Sequence, residues 1–181
     1  MFENIRIAER QPLFEKKYLS DLIFDMVDKN GRSHDDLGRF AKESTSPKEW
    51  GESFSEYSGK PEQAIDKLLK EKRGYVPKAI YKSGIGDIDF VWGIPGQKFT
   101  EKGYGIAHII RRRKENGYDG EKFVKTIPSI IKNGTIYRDT RFKDRVYVET
   151  KDKSSTIRLD WDGLTRVWLV TAFYKKENKK G

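Results

Sequence analysis

The chain reads as an α+β protein, with helices in its first part packed on a twisted, mainly antiparallel sheet built from its second. Three observations predict this. Apolar residues recur at helical spacing over residues 12–28 and again after Pro61. Beyond Gly74 the texture changes to short β-rich runs separated by Gly and Asn. The last of those runs, 166–174, is apolar on both faces, as an internal strand covered by helices would be.

In chain order, the first helix is expected over 12–28. Pro12 suits a first turn, and Phe14, Tyr18, Leu19, Leu22, Ile23, Met26 and Val27 fall on one stripe that Asn30-Gly31 closes. Residues 33–58 are polar and turn-rich, with a short helix near 50–57, and read as a connecting region. Another helix starts at Pro61, buries Ala64, Ile65, Leu68 and Leu69, and ends at Gly74. Strands are expected at 79–81 and 87–92, then a loop over 93–103. Helices follow at 104–114 and 122–132, each closed by an Asn-Gly pair. Further strands are expected at 135–138, 145–150, 156–160 and 166–174. In the last, Val167, Leu169, Thr171 and Phe173 should share one face.

Ten Phe, nine Tyr and four Trp supply core material, so the 181 residues are not compositionally disordered. The absence of Cys excludes disulfides, thiolate metal sites and a cysteine nucleophile. No apolar run approaches the roughly 18–20 residues of a membrane span, and the first residues lack the apolar core of a secretory signal. Charge is unevenly placed. Residues 1–73 hold 14 Lys/Arg and 15 Asp/Glu, whereas residues 74–181 hold 23 and 13, so the whole excess of +9 lies in the second part. A polyanion is the partner such a surface fits best, with a membrane surface as the lesser competitor.

Only two His are present for acid–base work near neutral pH. His34, in Ser33-His-Asp-Asp-Leu37, reads as a surface helix-start residue. His108 sits in Gly105-Ile-Ala-His-Ile-Ile-Arg-Arg-Arg113, a helix apolar on one side and cationic on the other. Arg111 and Arg112 follow it at spacings of three and four, near the same face. Guanidiniums there would lower the imidazole's proton affinity and hold a phosphate. A core-edge histidine beside a solvated basic face fits the same spacing. Asp87 and Asp89 share a strand face, but with no further ligand nearby they read as a loop cap or an arginine partner rather than a metal site. Cleavage of RNA without metal uses the substrate's 2′-hydroxyl and needs a base, an acid and a positive clamp. Arg138, Arg145, Arg158, Tyr137, Tyr147 and Thr171 fall in the sheet region, and Tyr137 and Trp92 are candidates for stacking on unpaired bases.

Four blocks carry a family resemblance: Gly59-Lys-Pro-Glu-Gln-Ala-Ile65, Gly86-Asp-Ile-Asp-Phe-Val-Trp-Gly93, Gly103-Tyr-Gly-Ile-Ala-His-Ile-Ile110 and Val167-Trp-Leu-Val-Thr-Ala-Phe-Tyr174. Together they resemble the phage-type branch of the barnase/EndoU/colicin E5–D/RelE-like (BECR) nucleases, found in phage polyproteins and in contact-dependent inhibition and related polymorphic toxins. The likeness covers residues 59–181 and leaves 1–58 as a delivery, linker or partner-binding segment. It implies a BECR-like fold and cleavage of RNA, often tRNA, with no metal and no cofactor, in a bacterial cytoplasm. By position it makes His108 the helix histidine and Thr171 the hydroxyl of the last strand. Arg112 or Arg111 becomes the cation after the histidine, and Arg145 a further phosphate clamp. Arg111, Arg113, Trp92 and Tyr137 are expected to contact substrate. The chain lacks a second His after the helix, which leaves water, Tyr137 or an arginine as proton donor. An acidic immunity protein is the implied partner. A non-catalytic nucleic-acid-binding module and a decayed phage structural domain are the alternatives.

Overall fold

The computed structural model describes residues 47–97 and 102–175. The helix expected at 12–28, His34 and the basic tail beyond Lys175 lie outside the described residues. The chain divides at Ser46, and the unit that begins there is the one described below. Two 3-10 turns, Lys48–Trp50 and Ser55–Tyr57, open it. These residues precede the boundary drawn at 58/59 from sequence, yet Trp50 and Phe54 are buried in the unit.

Helix α1, Pro61–Glu71, buries Ala64, Ile65 and Leu68. It stops earlier than Gly74 because Lys72 takes a left-handed backbone (φ 54°). Gly74 is also left-handed, and a Cβ there would collide with the Glu52 carbonyl and the Phe54 ring. Strands β1, Tyr75–Lys82, and β2, Gly86–Val91, form a hairpin. Helix α2, Gly105–Glu115, matches its expected span within a residue. The single helix expected at 122–132 is two: α3, Gly120–Val124, and α4, Ile127–Asn133. Pro128 has no N–H to donate back to residue 124, so the ladder breaks there. Thr126 turns its hydroxyl onto the Phe123 carbonyl at 2.8 Å.

Strands β3 (Thr135–Tyr137), β4 (Arg145–Glu149), β5 (Lys153–Trp161) and β6 (Leu164–Tyr174) complete a six-stranded sheet in the order β1-β2-β6-β5-β4-β3. All pairs are antiparallel except β2–β6, where Asp89 lies opposite Trp168. The fold is α+β, as expected, and β6 is internal. Its faces differ from the expected alternation. Thr156 pairs with Thr171 but Ile157 pairs with Leu169, so Val170 is an extra, bulged residue. The bulge reverses the phase. Val167, Leu169, Ala172 and Tyr174 pack in the helix-side core, while Trp168 and Val170 join a second cluster. Thr171 and Phe173 thereby pass to the face away from the helices.

The main core lies between the sheet and α1–α4, with Phe90, Ile106, Ile109, Phe123, Ile131 and Leu169 fully buried. The second cluster covers one end of the other sheet face. There Trp50, Tyr75, Val91 and Trp168 pack with Tyr104 and Trp161. Edge-to-face contacts set Tyr104 against Trp168 at 5.4 Å and Trp50 against Trp161 at 5.1 Å.

Candidate active site

Helix α2 begins where β2 ends. The Trp92 carbonyl accepts from the Ala107 amide at 2.9 Å, satisfying one orphan donor of the first turn. Gly105 permits this approach, since a Cβ there would strike the Val91 and Trp92 carbonyls. Ile106 and Ile109 turn into the core, which leaves His108 half-buried at its edge. Its Nδ1 lies 3.1 Å from the Pro95 carbonyl oxygen. A carbonyl only accepts, so the proton belongs on Nδ1 and the neutral ring keeps its lone pair on Nε2. Burial lowers the imidazole's pKa. The Pro95 hydrogen bond opposes that shift, and Arg111, Arg112 and Arg113 reinforce it. The result is a neutral base with its tautomer fixed.

The three arginines separate by helical geometry, at roughly 60°, 40° and 140° around the axis from His108. Arg111 Nε donates to the same Pro95 oxygen at 2.8 Å, and its Nη1 pairs with Glu115 at 2.5 Å. Arg112 pairs with the other Glu115 oxygen at 3.2 Å and is more exposed. Arg113 faces away. It is 6% exposed and lies 5.5 Å over the Phe123 ring, a packing position rather than a groove position. Trp92 likewise packs against the main core while its carbonyl anchors α2.

Helix α2 packs on β6, which carries Thr171. Register places Thr171 at the end of a row crossing the sheet: Tyr137 opposite Tyr147, Tyr147 opposite Thr156, Thr156 opposite Thr171. A second row on this face sets Arg145 opposite Arg158 and Arg158 opposite Trp168. Arg145 is held by Asp144 through two hydrogen bonds, 3.0 and 2.8 Å, while Arg158 reaches Asp144 and Asp160. Two strand spacings, about 10 Å, separate Arg145 from β6. His108, Arg111 and Arg112 thus form one cluster, and Arg145 belongs to another.

A family model described as phage-Barnase-EndoU-ColicinE5/D-RelE like nuclease1 matches residues 79–180, more than half of the chain. The chain belongs to this nuclease family. No curated protein and no solved structure matches it. The match runs from β1 through β6 and includes every residue of both clusters. Phosphodiester cleavage is the family's chemistry, so nucleic acid is the substrate class. Among the described residues, no helix of the nuclease is long and apolar enough to cross a membrane.

Of the two strand carboxylates, Asp89 is engaged within the fold and Asp87 is exposed. Asp89 is buried, accepts from the Lys78 amide at 2.7 Å and pairs with Arg166 at 2.7 Å. Burial raises its pKa, against the Lys78 hydrogen bond and the Arg166 charge. Lys78 sits in the irregular part of β1 with φ 48°, which turns its amide inward. Three parts of the nuclease's site escaped sequence reasoning. The Pro95 carbonyl is backbone and leaves no side-chain signature. Glu115 follows Arg111 by four and Arg112 by three, a spacing that does announce the pairs. Gly103 has no side chain to announce its place against the histidine. A Cβ on it would strike both the Pro95 oxygen and His108 Nδ1.

Proposed function

We propose that this nuclease is a metal-independent endoribonuclease toxin that cleaves RNA, with tRNA as its target, by attack of the 2′-hydroxyl. The observation that carries the reading is the hydrogen bond between His108 Nδ1 and the Pro95 carbonyl. It leaves Nε2 as the acceptor for the 2′-hydroxyl proton, on a ring held neutral by burial and neighbouring guanidiniums. As the proton leaves, the 2′-oxygen bonds to phosphorus. The 5′-oxygen departs and takes a proton from water or a neighbouring donor. The products are a 2′,3′-cyclic phosphate and a 5′-hydroxyl.

Arg112 stabilises the charge that develops on the phosphorane, and Arg111 supports it beside the imidazole. Thr171 and Arg145, on the sheet face away from the helices, hold neighbouring phosphates rather than the scissile one, and Tyr137 contacts a base. Arg113, which is buried, and Trp92, which packs half-buried against the main core, are assigned to the fold. The engagement of Asp89 by Lys78 and Arg166 supports a route without a carboxylate-held metal. An acidic immunity protein that covers the basic surface is the matching partner, with action in the bacterial cytoplasm. Purified protein incubated with total tRNA in EDTA should yield 5′-hydroxyl and cyclic-phosphate ends, and His108→Ala should abolish them. Intact tRNA with the wild type, or equal cleavage by the variant, rejects the mechanism.

A further inference from the structure

We propose that the sheet face beside Thr171 is a stacking platform for unpaired nucleobases, formed by Tyr137, Tyr147 and Phe142; this rests on the reading of the chain as a ribonuclease. The register row runs from Thr171 through Thr156 to Tyr147 and Tyr137, so both rings share the face of the last-strand hydroxyl. The two rings lie 6.1 Å apart at 41°. Tyr137 is 54% exposed and Phe142, on the loop joining β3 to β4, is 42% exposed. Large rings this open at a sheet surface do not serve the core.

Cations frame the platform. The Arg145 guanidinium lies 4.8 Å and that of Arg141 5.8 Å from the Phe142 ring centre. Each is oriented by a carboxylate: Asp144 holds Arg145, and Asp139 holds Arg141. The Asp139 carboxyl is pulled down to about 2 by that arginine. These acids, with Asp160 on Arg158, cancel much of the local positive charge. Affinity here therefore comes from ring stacking more than from phosphate neutralisation. Bases in a duplex are already stacked on one another, so the platform takes a loop or single strand. Two to three strand spacings, about 10–14 Å, separate the tyrosines from β6 and its Thr171.

The test is fluorescence anisotropy of the full chain with an eight-nucleotide 2′-O-methyl RNA, which lacks the nucleophile and stays intact. Tyr137→Ala/Tyr147→Ala should weaken binding roughly 100-fold, about tenfold for each ring. Tyr137→Phe/Tyr147→Phe should bind as the wild type does, and the salt slope should be unchanged in both. The same sequence as a duplex should bind weakly and be indifferent to the substitutions. Wild type that does not bind the oligomer, an alanine variant within twofold of wild type, or phenylalanine variants as weak as alanine would each overturn the platform. Cleavage of the unmodified oligomer by wild type and His108→Ala is read separately. Absence of cleavage with the binding losses intact defeats the ribonuclease reading and leaves the platform standing.

Discussion

Gly103→Ala probes how closely the imidazole is held. The new Cβ would meet both the Pro95 oxygen and His108 Nδ1 well inside any distance real Cβ atoms adopt. The ring must retreat by about 1 Å to regain ordinary contact distance. That breaks the 3.1 Å hydrogen bond to Pro95, a loss of about 1 kcal/mol. It also displaces Nε2, and a 1 Å misplacement of a reacting group costs about 100-fold in rate. Stability falls as well. Gly103 does not have a positive φ, but the Pro95 carbonyl is main chain and must move with its loop, an overpacking cost of about 1–3 kcal/mol that the reduced freedom of the unfolded chain offsets by only about 0.4–1 kcal/mol. The expected outcome is a kcat for RNA cleavage about 100-fold below wild type, with Tm lowered by about 4–10 °C. Nitrogen NMR of the imidazole adds a direct readout: wild type should show the proton on Nδ1, and the variant a mixture of tautomers. A folded variant with kcat within threefold of wild type, or a wild-type proton on Nε2, would refute the reasoning.

Four other outcomes follow from the structure. Because the pKa of His108 is lowered from 6.5, kcat/KM should hold level through neutrality and fall only below pH 6.5; an acidic limb above that value would show the imidazole is not the base. The native protein also binds fewer protons than the unfolded chain between that lowered pKa and 6.5, so stability should rise with pH across the window, and His108→Gln should flatten the slope in urea titrations. Glu115→Gln releases Arg111 and Arg112 from their carboxylate, and should tighten RNA binding several-fold and steepen its salt dependence by about one phosphate contact; unchanged anisotropy at two salt concentrations would remove both arginines from the interface. Arg166→Leu leaves Asp89 buried without its cation and should cost about 3–5 kcal/mol by chemical denaturation, whereas a loss below 1 kcal/mol would mean the Lys78 amide alone suffices.

The elements were legible because their periodicities are clean. Pro61 and the Ala64/Ile65/Leu68 stripe define α1, and the run from Ile106 to Lys114 defines α2. The breaks were less so. Pro128 was read inside one helix, although its missing N–H divides α3 from α4. The bulge at Val170 has no signature in Val167-Trp-Leu-Val-Thr-Ala-Phe-Tyr174, because apolar residues at every position mask a change of phase. Its effect was the largest, since it decides that Thr171 faces away from the helices. In the site, the histidine and its flanking arginines were visible from spacing. Their division into a core cation, Arg113, and two pinned by Glu115 came from helical rotation and burial. The Pro95 oxygen, which unites His108 with Arg111, is main chain and carries no residue code.

The second aromatic cluster has a consequence for the smallest piece of chain that can work. The family match opens at residue 79, but Trp50 seals the sheet above Trp168, and α1 closes the other side with Ile65 and Leu68. A fragment trimmed to the match would leave Trp168, Tyr104 and the Asp89–Arg166 pair facing water. Thirty-odd residues outside the recognised region are therefore the roof under which the recognised region can fold.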